Sequence, residues 1–258
     1  MTVSYITAEG APLLDYKTEV SKGNVPGQEA LTISGTNPSL AIGTEDLWAI
    51  GGSLQYLATE RRIKLVSTSA NDTAGGTGVR TVLISGQNDA GVPQSDVITM
   101  NGLSDSAFSS NNYAVVNFMF ALSSGTLLTN DGLLTAIAET DLTPQCGIRA
   151  GVGISQHGFT RVPAGKSIVI NSLEFNASKV GGGQEPVVLF RIYARFSRTS
   201  PWVTIAERTL DAGVQDSIIV PLDTSATLSE GADVRFAATT DQNGTFASSR
   251  LIGILYDN

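Results

Sequence analysis

Between positions 188 and 196 apolar side chains take every second place: Val188, Phe190, Ile192, Ala194 and Phe196, with Leu189, Arg191, Tyr193 and Arg195 between them. A period of two is the pleat of a β-strand, and the two arginines mark the opposite face as wet. A helix would scatter the same residues around its axis. The pattern recurs at Val234, Phe236 and Ala238, and again at Ile252, Ile254 and Tyr256. Phe190, Ile192, Phe196, Val234, Phe236, Ile252 and Ile254 are therefore expected to line one core. Residues 166–177 carry the same period with a change of phase: Ile168 and Ile170 share one face, while Leu173 and Phe175 fall in the other register. One extra residue near Asn171 and Ser172, a β-bulge, would restore a common face.

The upstream half reads the same way in shorter pieces. Ile63 with Leu65, Val82 with Ile84, Ile98 with Met100, and Val116, Phe118, Phe120 and Leu122 make one-sided apolar rows. The turn-forming clusters NDTAGG (71–76), NDAG (88–91) and SSG (123–125) separate them. Short strands so punctuated indicate a sandwich or barrel. The stretch LLTAIAE (133–139) fits a turn or two of helix, or a strand; little helix is expected. The expected fold is all-β, with two β-sandwich domains of jelly-roll type, residues 28–155 and 156–258, after an extended N-terminal arm, residues 1–27. The boundary rests on a strand, a Pro-Gly turn at Pro163 to Gly165, and a new strand. The arm lacks sustained alternation and contains Gly23, Asn24, Pro26 and Gly27. Its scattered anchors Val3, Tyr5, Ile6, Leu13, Leu14, Tyr16 and Val20 cannot bury one another, so they are expected, with Trp48, to contact a neighbouring subunit.

Composition narrows the function. Charged residues are 16% and the net charge is −8. Phosphate neutralisation needs a cationic surface, so no nucleic-acid partner is expected. No run of about 18 apolar residues exists, which argues against a membrane span, and the N-terminus lacks the basic-then-apolar order of a signal peptide. The single cysteine, Cys146, excludes an intrachain disulfide.

Three stretches carry a resemblance. They are GTEDLWAIGG (43–52), VSTSANDTAGGTGVRTV (66–82) continuing to TMNG (99–102), and FTRVPAGK (159–166). In this order they resemble the GTEDVWDxGG, SSSANDTxxGTGxRTV and Tyr/Phe-Thr-x-Val-Pro-Ala-Gly-Lys segments of a widespread family of tailed-bacteriophage virion proteins. The likeness runs from about Gly43 to the C-terminal β segment and departs over residues 111–140, where a different apolar stretch stands. It implies a particle component, on the head or the tail. The middle motif also makes sense alone: Asn, Asp and Gly tolerate positive φ and close compact turns.

Catalytic chemistry finds few residues. His157 is the only histidine, so a Ser-His-Asp triad or a cysteine nucleophile at Cys146 would have to use it; no G-x-S-x-G elbow is present. A turn or interface role for His157 and a small packed role for Cys146 are the simpler readings. One Cys and one His cannot make a structural zinc site. Asp241-Gln242-Asn243-Gly244 and Asn88-Asp89 lack EF-hand spacing and read as hairpin turns. The VGGGQ run (180–184) lacks the Lys-Ser/Thr of a phosphate loop. Glu45/Asp46, Glu139/Asp141 and Glu207/Asp211 could pair as glycosidase carboxylates, but the surface is their default. Trp48 and Trp202 read as packing residues rather than a sugar platform. No cofactor, no metal and no catalytic residue is expected.

The leading expectation is a non-enzymatic virion protein, first of all a capsid cement or decoration subunit. It would bind the major capsid protein or tail proteins and form a homo-oligomer, with a trimer as the first choice by analogy. A tail adaptor or fibre-anchoring protein is the alternative. A host-glycan-binding module comes next. A polysaccharide-degrading enzyme ranks last, because no acid–base or nucleophile set stands out.

Overall fold

The computed structural model describes residues 5–6, 12–13 and 16–258. The chain is all-β. In order it forms β1 (Tyr5–Ile6), β2 (Pro12–Leu13), the six-residue helix α1 (Tyr16–Ser21), β3 (Gln28–Leu40), β4 (Gly43–Asp46), β5 (Ile63–Ser67), β6 (Val79–Gln87), β7 (Pro93–Thr99), β8 (Val115–Ser124) and β9 (Leu134–Ala138). Then come β10 (Pro144–Ile148), β11 (Phe159–Arg161), β12 (Lys166–Lys179), β13 (Val187–Arg195), β14 (Val203–Asp211), β15 (Ser217–Leu228), β16 (Asp233–Thr240) and β17 (Thr245–Asp257). The LLTAIAE stretch is strand β9.

Two sheets share the larger core. One has the order β15-β12-β17-β3; in the other β11 and β4 both pair with β16, which continues to β13 and β14. Ile33, Ile168, Phe175 and Leu251 from the first meet Val188, Phe190, Ile192 and Phe236 from the second in one apolar cluster. Phe175 and Phe190 touch across it, with ring centroids 5.1 Å apart. Each such side chain, fully buried, contributes about 1.5–3 kcal/mol. Two three-stranded sheets, β10-β9-β5 and β7-β6-β8, share a second cluster that includes Ile63, Leu65, Val82, Ile84, Met119 and Ile148.

The bulge expected in β12 is present: both of its pairings shift between Ile170 and Ser172. Ile168, Ile170, Leu173 and Phe175 all reach the core as a result. Two core expectations are corrected. Phe196 is 58% exposed, because β13 ends at Arg195 and the chain turns away. In β17 the residues facing the shared core are Ala247, Leu251 and Leu255; Ile252 is half-buried and Ile254, though buried, lies outside that cluster. The sequence LIGIL is apolar in both phases, and Gly253 settles which phase faces in. A Cβ there would come within 2.5 Å of the Val169 carbonyl oxygen.

The hydrogen bonding cuts across the sequence-based division at residues 28–46. β3 pairs with β17 over most of its length, and β4 pairs with β16. Of the expected contact residues, Val3 and Leu14 lie outside the described residues, while the Tyr5 and Ile6 backbones pair with those of Leu13 and Pro12. Tyr16 hydrogen-bonds within its own chain, sharing a 3.2 Å bond with the Tyr256 hydroxyl and donating to Gln28. Val20 is buried and α1 packs on β3, so residues 16–27 are held by their own sheet. Trp48 is only 4% exposed within the single chain.

Candidate functional site

The first motif stretch closes a joint between the sheets. After β4 the backbone turns through Gly51 and Gly52 at φ 78° and 68°, which the absence of a Cβ permits. Inside this turn Asp46 accepts a hydrogen bond from Leu54 N at 2.7 Å, and Trp48 Nε1 donates to Gly52 O at 3.3 Å. Leu47 N donates to Phe236 O, Gly158 N to Leu47 O, and Phe236 N to Gly158 O, at 2.7–2.9 Å. Leu47, Gly158 and Phe236 thus interlock three distant segments. Gly158 also presses on Gly35: a Cβ on Gly35 would lie 2.6 Å from the Gly158 Cα.

Around this joint the fold gathers rings and buried charge. Trp48, Leu54, Val115 and Phe159 form a third apolar cluster, with Tyr56 and Trp202 packed against it. Arg195 lies over the rings of Tyr56 and Trp202, at 4.5 and 4.7 Å from the centroids. Arg235 lies over Tyr193 and Trp202, at 4.7 and 4.8 Å. The order Tyr193, Arg235, Trp202, Arg195, Tyr56 is an alternating ladder of rings and guanidinium groups. Burial pushes the Asp46 carboxyl up, and Arg235 at 3.5 Å opposes that. Burial likewise raises the Tyr56 hydroxyl.

Asp233, fully buried, stands beneath the ladder. Arg161 donates to it twice, from Nε at 2.7 Å and from an η nitrogen at 3.1 Å, and Arg195 Nε donates at 2.6 Å. Arg161 and Arg195 are its cross-strand partners on β11 and β13. One carboxylate therefore ties three strands.

The middle motif stretch holds a second buried carboxylate. Asp72 is 0% exposed. Its Oδ1 accepts from Val79 N and Asp131 N, and its Oδ2 from Gly132 N and Ser67 Oγ, at 2.6–2.9 Å. Gly78 is required beside it, because a Cβ there would lie 2.2 Å from Asp72 Oδ1.

The remaining candidates fall into structural places. His157 is 4% exposed, and both its ring nitrogens lack a hydrogen-bond partner. Burial holds its pKa down to about 4, so it is neutral at pH 7. No hydroxyl or thiol is bonded to it, and a nucleophile–base pair through His157 is not formed. Cys146 is fully buried and burial pushes its thiol up to about 12. Glu139 pairs with Arg62, Asp141 lies 3.9 Å from Arg61, and Glu207 pairs with Arg191 at 2.7 Å. Among the described residues no group of three or more His, Cys, Asp or Glu is placed to hold a metal ion. Asp241 to Gly244 and Asn88 to Gly91 are hairpin turns, with Gly244 and Gly91 at φ 68° and 76°. Trp48 and Trp202, distant in sequence, pack in one cluster, and sequence reasoning did not bring them together. It missed the Asp233 pairings, which join residues 72 and 38 positions apart.

No protein-family model and no curated protein matches the chain. Among solved structures, the infectious bursal disease virus VP2 subviral particle is similar at 10% identity, over 89% of this chain and 72% of that one, with a TM-score of 0.25. The structure of the Gx strain of the same virus is similar at 10% identity, over 98% and 79%, with a TM-score of 0.23.

Proposed function

We propose that the chain is a structural component of a tailed-phage particle, a capsid cement or decoration protein that stabilises the shell through subunit contacts. One observation carries the reading beside the resemblance of the three motif stretches: all three supply scaffolding. Asp46 and Trp48 brace a turn, Asp72 and Gly78 fix a loop, and Arg161 neutralises buried Asp233. None of the three presents a nucleophile and base together. On this reading residues 28–46 and 156–258 form one β-sandwich, and residues 47–155 form a second body set into it. The protein acts by binding, with the major capsid protein as partner and a trimer as its own state. Exposed apolar side chains give such contacts material: Val97 is 56% exposed, Leu122 51% and Phe120 40%.

The deciding experiment is the copy number of this chain per particle, by quantitative gel or mass spectrometry. Copies on the scale of the shell's own subunits support the cement role. A few copies, set by one vertex or the tail end, move the protein to an adaptor or fibre-anchoring role. Absence from purified particles ends the reading.

A further inference from the structure

β3 is the edge of its sheet, bonded to β17 on one side. Thr36 N donates to Gln156 O at 3.2 Å, so at Thr36 the backbone faces away from β17. The register continues without a shift from there back to Gln28. In an antiparallel pair alternate residues face the same side, so Thr32 and Ser34 present their N–H and C=O groups to that edge too. Neither has a backbone partner there among the described residues.

A groove of about 540 Å³ opens along this edge, between β3 and a wall that includes Phe118, Ile154 and Gln156. Two residues of its lining carry polar atoms buried without a partner: Gln156 at Oε1 and His157 at both ring nitrogens. Buried polar groups are satisfied by protein, water or ligand. The one charged side chain of the lining, Arg161, is committed to Asp233. The occupant is therefore uncharged, carries both donors and acceptors, and offers apolar side chains to an apolar wall. An extended backbone has that chemistry.

We infer that this groove takes residues 2–8 of a second copy of the chain as an added strand; this rests on the reading above that the N-terminal segment contacts a neighbouring subunit. The stretch TVSYITA contains no Asp, Glu, Lys or Arg, which matches a groove without free charge. Thr2, Val3, Tyr5, Ile6 and Thr7 favour strands. Seven extended residues span about 23 Å, enough to run from Ala30 past Ser34.

The test uses the full chain in sedimentation, with a synthetic peptide of residues 1–15 as competitor. The full chain is expected to sediment as an oligomer, and excess peptide to release monomers. Thr32→Pro removes an N–H that faces the groove and leaves the β17 bonds in place, so it should weaken self-association roughly tenfold, the worth of one or two edge hydrogen bonds. Should that variant misfold, peptides N-methylated on alternate residues give the same information. Methylation at one alternate set (Val3, Tyr5, Thr7) or the other (Ser4, Ile6) should abolish competition, and the opposite set should spare it. Competition unaffected by Thr32→Pro and by both methylated peptides overturns the groove assignment while leaving a contacting N-terminal segment intact. A full chain that is monomeric at all concentrations overturns both.

Discussion

Asp233 and Asp72 are both fully buried carboxylates, and the two regions compensate them differently. Asp233 is met by two guanidinium groups delivered by neighbouring strands. Asp72 is met by three backbone N–H groups and one hydroxyl, from the end of β5, the start of β6 and the loop before β9. A charge in low dielectric needs either opposite charge or aligned dipoles. The first solution couples neighbouring strands through three side chains of opposite charge. The second couples two strand ends to a loop and depends mostly on backbone geometry, which side-chain substitution elsewhere barely touches.

The contrast can be broken most forcefully at Asp233. Asp233→Ala leaves two buried arginines without a counter-charge and should cost about 3–5 kcal/mol, read as a lowered urea midpoint. Asp233→Asn should be nearly as harmful, since shape is kept and charge is lost. Asp72→Ala should cost about 2–4 kcal/mol for the loss of its charged acceptor. Here Asn should recover much of the loss, because its one oxygen can still accept from Val79 N and Asp131 N. An Asn variant as damaging at Asp72 as at Asp233 would show that charge, and not acceptor geometry, governs both sites.

His157 sharpens the comparison as a buried polar group with neither solution. Its folded pKa of about 4 lies below the usual 6.5, so the neutral form is favoured by folding. Above pH 6.5 this has no effect; as pH falls from 6.5 toward 4 the unfolded chain takes up a proton that the folded chain refuses. Stability should fall by up to about 3 kcal/mol across that window. His157→Leu should flatten the fall, and an unchanged pH slope in that variant would assign the loss to other groups. The smallest effect is expected on the exposed edge of β15, where Ile219 is 67% exposed. Ile219→Thr should change stability by less than about 0.5 kcal/mol and leave both carboxylate networks as they are.

The same contrast explains what was legible in the sequence. The turn after Asn71 was readable because Asn, Asp and Gly in sequence announce one; the bonds Asp72 accepts from Asp131 N and Gly132 N, 59 and 60 positions away, were not. The β12 bulge was readable because a phase change in an apolar row has one geometric remedy. Asp233 was not readable: its partners lie on other strands, and nothing local distinguishes Asp233 from a surface aspartate at a strand start. Strands β3 and β4 were assigned to their sequence neighbours for the same reason. Strand pairing is set by what each face can bury, and periodicity reports the face without naming the partner. In β17, where both phases are apolar, even the face was ambiguous until Gly253 met Val169.

The pairing of β3 with β17 has a consequence for how the protein is made. Residues 28–40 leave the ribosome well before residues 245–257, the strand they pair with. The intervening strands β5 to β10 hold their own apolar cluster and can gather first, while β3 waits unpaired. The sheet that organises the larger core is thus closed only when β17 arrives, and removing β17 would leave β3 without the strand it pairs with.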